Sequence, residues 1–184
     1  MPKPRKIPTP QNLSNVALHY LERYAASEAS LRRVLTNRIR RAAMQHPDFA
    51  ADEGRQQELR SAIETIIALH KRTGILNDTA FAEMRVHSLR RQGRSRRVIE
   101  QKLMTKGVAR DTIKAALAGH DDDADPREIE RQAALTLARR RKWGPFRKKP
   151  VDVEARRKDF AALARAGFSA DIVRAVLDYD FEDE

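Results

Sequence analysis

The sequence predicts an all-α protein built as a tandem array of three three-helix repeats, helix-turn-helix-like, and three observations predict it. Hydrophobic residues make up 41% of the chain but aromatic residues only 5%, so a core has to be drawn from Ala, Leu, Ile and Val, which suit closely packed helices. Seven Gly stand far apart and four of the eight Pro fall in the first ten residues, which leaves long stretches where helices can propagate. The third observation is an internal repeat. Leu103 to Leu117 (LMTKGVARDTIKAAL) aligns without gaps onto Leu163 to Leu177 (LARAGFSADIVRAVL), with Leu, Gly, Asp, Ala and Leu in register. Each matched feature has a mechanical reason. Gly permits a left-handed helix cap, the apolar residue after it packs under the turn, and Asp in the next first turn suits the helix dipole.

Residues 1–11 are basic and Pro-rich and lack the apolar centre of a secretion signal, so they read as a disordered tail. The first repeat is expected over 12–74. Asn12 to Tyr24 brings Val16, Ala17, Tyr20 and Leu21 together at helical spacing. Ser27 is placed to cap Glu28 to Ala43, where Leu31, Val34, Leu35 and Ile39 form the apolar stripe and Arg32, Arg33, Arg38, Arg40 and Arg41 take other positions. Pro47 and Gly54 among acids mark 46–55 as a loop, after which Ala62, Ile63, Ile66, Ile67 and Leu69 resume the period up to Gly74. This first copy is diverged, since no Gly directly follows its middle helix.

The second repeat, 75–119, opens at Asn77-Asp78, either of which can accept the free amides of a helix start. It continues through Phe81, Ala82, Val86 and Leu89 to Gly93. Arg94 to Lys106 follows with Ile99 and Leu103 inward, Gly107 supplies the stop, and Asp111 to Leu117 is a short third helix. Residues 120–126 (HDDDADP) have no apolar residue beyond one Ala and end in a helix-starting Pro, so they read as an acidic linker. The third repeat, 127–178, comprises Ile129 to Lys142, Val153 to Ala166 and Ser169 to Leu177, and 179–184 is an acidic tail.

Little here can build a catalytic site. The five His, at 19, 46, 70, 87 and 120, form no HExxH pair, no Gly-rich loop precedes a Lys and Ser or Thr, and there is no GxSxG. No catalytic residue, metal or cofactor is therefore assigned, and the chain is expected not to be an enzyme. The absence of Cys removes disulfides and thiolate zinc sites and fits a cytoplasmic location. No run of about 18 apolar residues exists, so no membrane span is expected.

Charge says more. Lys and Arg total 37 against 26 acids, a formal charge of +11 that points to a polyanionic partner. Between Arg85 and Lys114 stand ten basic residues and two acids, Glu100 and Asp111. The densest part brackets a helix junction, and the candidate nucleic-acid-binding residues there are Arg90, Arg91, Arg94, Arg96, Arg97, Lys102 and Lys106. A second cluster holds Arg139, Arg140, Arg141, Lys142, Arg147, Lys148 and Lys149, interrupted by Trp143 and Phe146. Those aromatics either stack on bases or seal the turn of the third repeat. Two readings of the charge stand side by side: a sequence-nonspecific surface for single- and double-stranded DNA, or a helix-turn-helix transcription regulator with Arg94 to Lys106 as recognition helix.

The run Gly74-Ile-Leu76-Asn-Asp78, Phe81-Ala82-Glu83, Arg90-Arg91, Gly93, then Arg97, Ile99, Leu103 and Lys106-Gly107-Val108 resembles the central repeat of the RecX family. Gly167 and the terminal Ile172-Val173, Val176-Leu177 are similar to its last repeat. Two departures are Arg85, which falls in an otherwise apolar arc, and the insertion from His46 to Gly54. The resemblance implies an elongated, curved, all-helical protein lodged in the groove of a RecA recombinase filament on DNA; a monomer is expected. It also implies restraint of strand exchange, ATP hydrolysis and coprotease action in recombination, repair and the SOS response.

Overall fold

The computed structural model describes residues 6–121, 124–148 and 152–179. Among these the secondary structure is entirely helical, with ten α-helices and one 3-10 turn in two compact units. The first unit holds the chain through Phe81 together with Lys106–Val108, and the second holds Ala82–Thr105 and the chain from Ala109 onward.

In the first unit, α1 (Pro10–Arg23) starts where Thr9 Oγ1 accepts the Asn12 amide and Pro10 takes the first helical position. It therefore begins two residues before the expected Asn12, and the expected tail 1–11 is corrected for its described part: Pro8 is buried and Ile7 packs on the core. Residues 1–5 lie outside the described residues. α2 (Glu28–Ala43) is capped by Ser27 as expected and buries Leu31, Leu35 and Ile39. The expected loop 46–55 is a second correction, because it folds as α3 (Pro47–Ala51) and the start of α4 (Glu53–Arg72). Pro47 sits at a helix start, where its missing N–H costs nothing, and Asp52 Oδ1 accepts the Arg55 amide at 2.9 Å. Phe49 then joins Leu59, Ile63 and Ile67 in one core with Leu13 and Ala17. Leu69, expected inward, is 42% exposed. α5 (Asp78–Arg90) gives its first turn to this unit, with Asn77 capping it and Asp78 Oδ1 accepting the Glu28 amide at 2.8 Å.

In the second unit the rest of α5, α6 (Arg96–Thr105) and α7 (Arg110–Asp121) bury Val86, Leu89, Ile99, Leu103, Ile113 and Leu117. Arg85 is half-buried on α5. The expected linker is shorter than 120–126, since α7 runs through Asp121 and α8 (Pro126–Arg141) opens at Pro126 behind the Asp125 cap. Residues 122–123 lie outside the described residues. The 3-10 turn (Gly144–Phe146), α9 (Val153–Arg165) and α10 (Ala170–Leu177) close a core of Ala133, Leu137, Leu163, Phe168, Val173 and Val176. Gly93 shows why the turn after α5 carries glycine. Its φ is +70°, and a Cβ there would lie 2.6 Å from both the Ala133 carbonyl oxygen and the Leu137 nitrogen of α8.

Candidate nucleic-acid interface

The densest cation cluster does not present all its charges to solvent. Arg90, in the last turn of α5, has only 6% of its side chain exposed, with Nη2 3.2 Å from Asp121 Oδ2 and Nη1 2.7 Å from Glu130 Oε1. Nη1 also donates to the Arg94 carbonyl at 3.3 Å. Glu130 Oε1 in turn accepts the Arg96 amide at 2.9 Å, so one carboxylate serves a buried guanidinium and the first turn of α6. Arg90 is thus a joint between α5, α7 and α8 and has no charge left for a phosphate. Arg94 is half-buried, its Nε without a hydrogen-bond partner among the described residues.

Around that joint other candidates remain available. Arg91, Arg97, Lys102 and Lys106 are exposed, and Arg96 is exposed in an i,i+4 pair with Glu100 at 2.9 Å. Such a surface pair is weak enough to be exchanged for a phosphate. Arg91 and Arg140 line one open depression of the second unit with Met84, His87, Ser88 and Gln92, and no carboxylate lines it among the described residues. Arg140 is steadied there by donating from Nη1 to the Gln92 carbonyl at 3.1 Å. The fold therefore brings together one member of each sequence cluster.

In the second cluster Arg139, Arg141, Lys142 and Lys148 are exposed, while Lys149 lies outside the described residues. Arg147 is not free. It grips Asp159 with two bonds, Nε to Oδ2 at 2.7 Å and Nη2 to Oδ1 at 2.6 Å, and Asp159 Oδ2 also accepts the Gly144 amide at 2.8 Å. Burial pushes the Asp159 carboxyl up, but the Arg147 and Gly144 bonds outweigh it and leave the group below the usual aspartate value. Trp143 and Phe146 pack against the core of this unit, which favours sealing the turn over stacking on bases. The Arg139 guanidinium lies 5.2 Å from the centre of the Phe146 ring. Lys142 ends α8 in the left-handed conformation, φ 57° and ψ 50°, and is the non-glycine residue with positive φ among the described residues.

Sequence reasoning passed over several exposed features. Arg110 and Lys114 of α7 line a second depression with Glu100, Met104 and Ile113, and the ten-to-two imbalance was the signal for them. In the first unit Tyr20 and Tyr24 stand 5.3 Å apart beside Arg23 and Arg38, an i,i+4 aromatic pair of which only Tyr20 was assigned, to the apolar stripe. Arg32 there is spent on Glu64 and Glu28, and hydrogen bonding to it lowers the Glu64 carboxyl. Among the described residues no three His, Cys, Asp or Glu side chains gather as a metal site, and no helix is long and apolar enough to cross a membrane.

Comparison with known proteins bears on the whole chain. Residues 77–117 match the domain family described as RecX, second three-helix domain. Over 177 residues the chain is 44% identical to the regulatory protein RecX of Myxococcus xanthus (strain DK1622), covering 96% of this chain and 89% of that one. Over 173 residues it is 34% identical to the regulatory protein RecX of Agrobacterium fabrum, covering 92% and 85%. The crystal structure of RecX from Lactobacillus salivarius superposes with a TM-score of 0.60 at 20% identity, over 92% of this chain and 96% of that one, which speaks for the fold alone.

Proposed function

The chain belongs to the RecX family of regulatory proteins, and from that membership we propose that it binds RecA filaments assembled on DNA and restrains their recombinase, ATPase and coprotease activities. In this reading it works as a cytoplasmic monomer, without chemistry of its own, and meets single- and double-stranded DNA through phosphates and not base edges. One observation carries the DNA part: Arg91 and Arg140, from separate clusters, line one depression that no carboxylate of the described residues enters. A phosphate there meets two guanidiniums, the Ser88 hydroxyl and the Gln92 amide. Lys142 adds support, since it is an exposed cation at a left-handed backbone position where glycine costs less, and such strained positions cluster at functional sites.

The test is a titration of labelled protein against bare single strands, bare duplexes and RecA filaments at two salt concentrations, with RecA ATP turnover followed in parallel. Expected are preference for the filament, reduced turnover, no ATP hydrolysis by the protein itself, and bare-DNA affinity that falls steeply with salt. Tightest binding to one duplex sequence, with no gain from RecA, would instead establish the transcription-regulator reading.

A further inference from the structure

Two buried serines repeat one arrangement. Ser27 accepts the Ser30 amide on its Oγ at 3.2 Å and the Leu31 amide on its carbonyl at 3.0 Å, the bonds of a helix cap for α2. Ser95 does the same for α6, with the Val98 amide 3.4 Å from Oγ and the Ile99 amide 3.0 Å from its carbonyl. Both side chains are fully buried, so each hydroxyl proton needs an acceptor away from water. Each has the same kind of acceptor far along the chain, which for Ser27 is the shorter of two contacts, the other being Ser30 Oγ at 2.9 Å. Ser27 Oγ lies 2.5 Å from the Lys106 carbonyl oxygen, just past the end of α6, and Ser95 Oγ lies 2.7 Å from the Ala166 carbonyl oxygen, just past the end of α9. In both cases a positive-φ glycine comes next, Gly107 at 76° and Gly167 at 92°. The missing Cβ is what admits the serine's helix. At Gly107 it would strike the Ala29 side chain, and at Gly167 it would lie 2.6 Å from Ser95 Oγ and 3.4 Å from Val98 Cγ2.

We propose that Ser27 and Ser95 form one repeated joint, in which the residue capping the middle helix of one repeat also grips the carbonyl ending the middle helix of the next. Among the described residues the third repeat carries the cap without the grip. Asp152 Oδ1 accepts the Ala155 amide at 2.6 Å and its carbonyl accepts the Arg156 amide at 3.0 Å, as in the serine caps. An ionised carboxylate has no proton to donate to a carbonyl, and neither Asp152 nor Val153 is buried. The series ends where serine gives way to aspartate. Ser27 and Ser95 are accordingly positioning residues: one holds the backbone from which Lys106 projects, and the other lies between Arg94 and Arg96. That last consequence rests on the proposed DNA-binding surface, whereas the joint itself does not.

Ser95→Asp is the controlled break, because it keeps the best kind of cap and removes the donor. Amide exchange on the full chain is expected to accelerate roughly 5- to 30-fold at Gly167 and Phe168, the range for one buried hydrogen bond, with Val98 unchanged. Ser95→Thr is expected to keep protection near wild type. Ser27→Asp should do the same at Gly107 and Val108, and serves if the first variant fails to fold. Protection at 167–168 within twofold of wild type, or equal loss at Val98, would overturn the joint. In the same samples, an unchanged salt dependence of DNA binding despite lost protection would overturn the positioning role. A wild-type protein that binds no DNA would remove the functional reading and leave the exchange result to decide the joint.

Discussion

Arg90 and Arg91 are neighbours in sequence with opposite expected fates. Replacing Arg90 by Gln leaves Asp121 and Glu130, 15% and 21% exposed, facing each other without the guanidinium between them. Removing one partner of a buried ion pair costs about 3–5 kcal/mol. Because both carboxylates keep some water, the low end applies, about 3 kcal/mol. At a urea dependence of roughly 2 kcal/mol per M this lowers the unfolding midpoint by about 1.5 M. Asp121→Asn in the Arg90→Gln background should recover part of the loss, since it removes a stranded charge. Arg91→Gln, at an exposed position, should leave the stability within about 0.5 kcal/mol of wild type. It should also reduce the log-log salt dependence of duplex binding by about 0.9, the value of one phosphate contact. Urea unfolding followed by circular dichroism, beside a salt titration of DNA affinity, reads both. An Arg90→Gln protein as stable as wild type, with the salt dependence that Arg91→Gln was to show, would refute the assignment of Arg90 to the joint.

The left-handed Lys142 gives a case where stability and binding part. Lys142→Gly should raise stability by about 0.5–1 kcal/mol by relieving the backbone, while lowering the DNA salt dependence by one contact; a loss of stability would remove the strain argument. Asp159 has a depressed carboxyl, so its contribution is complete above the ordinary aspartate value of 3.8 and is lost as pH falls through the lower folded value. Asp159→Asn should therefore unfold more easily than wild type at pH 7, and the gap in urea midpoint should narrow below about pH 4. A gap independent of pH would reject the pairing with Arg147.

The helical class, the caps at Ser27 and Asn77 and the left-handed Gly107 and Gly167 were legible because each is decided by a few adjacent residues. Residues 46–55 were misread for a local reason as well. Pro47 and Gly54 were taken as breakers, yet proline favours the first position of a helix and Gly54 lies in the first turn of α4, where the chain is already capped by Asp52. The candidate site was harder, because exposure depends on partners distant in sequence. Nothing near Arg90 announces Glu130, and nothing near Arg147 announces Asp159. Charge density therefore located the right stretches without sorting a cation that holds helices from one that faces solvent. The serine joint was hidden in the same way: Ser95 falls inside the helix expected over Arg94 to Lys106, and its acceptor is 71 residues away.

Sorting the cations changes what a binding measurement can return. Of the proposed contacts, Arg90 and Arg147 are committed to carboxylates, and Lys149 lies outside the described residues. Arg96 remains usable, because its exposed bond to Glu100 gives up little when a phosphate replaces the carboxylate. Arg94 is the borderline case: half-buried, it reaches a phosphate only through its terminal nitrogens, since Nε is covered. With every candidate but Arg90 and Arg147 engaged, Lys149 included, the duplex salt dependence is bounded at a log-log slope of about 11, and the single-strand value at about 8. Burial of part of the surface against a RecA filament lowers both numbers, because a cation in a protein contact releases no DNA counterion. The slope on bare DNA should therefore exceed the slope on filaments. A bare-duplex slope well above 11 would require cations outside the proposed set, such as Arg110 and Lys114 on α7 or Arg33, Arg40 and Arg41 on α2, to touch DNA as well. That result would move the interface beyond the residues that charge density picked out.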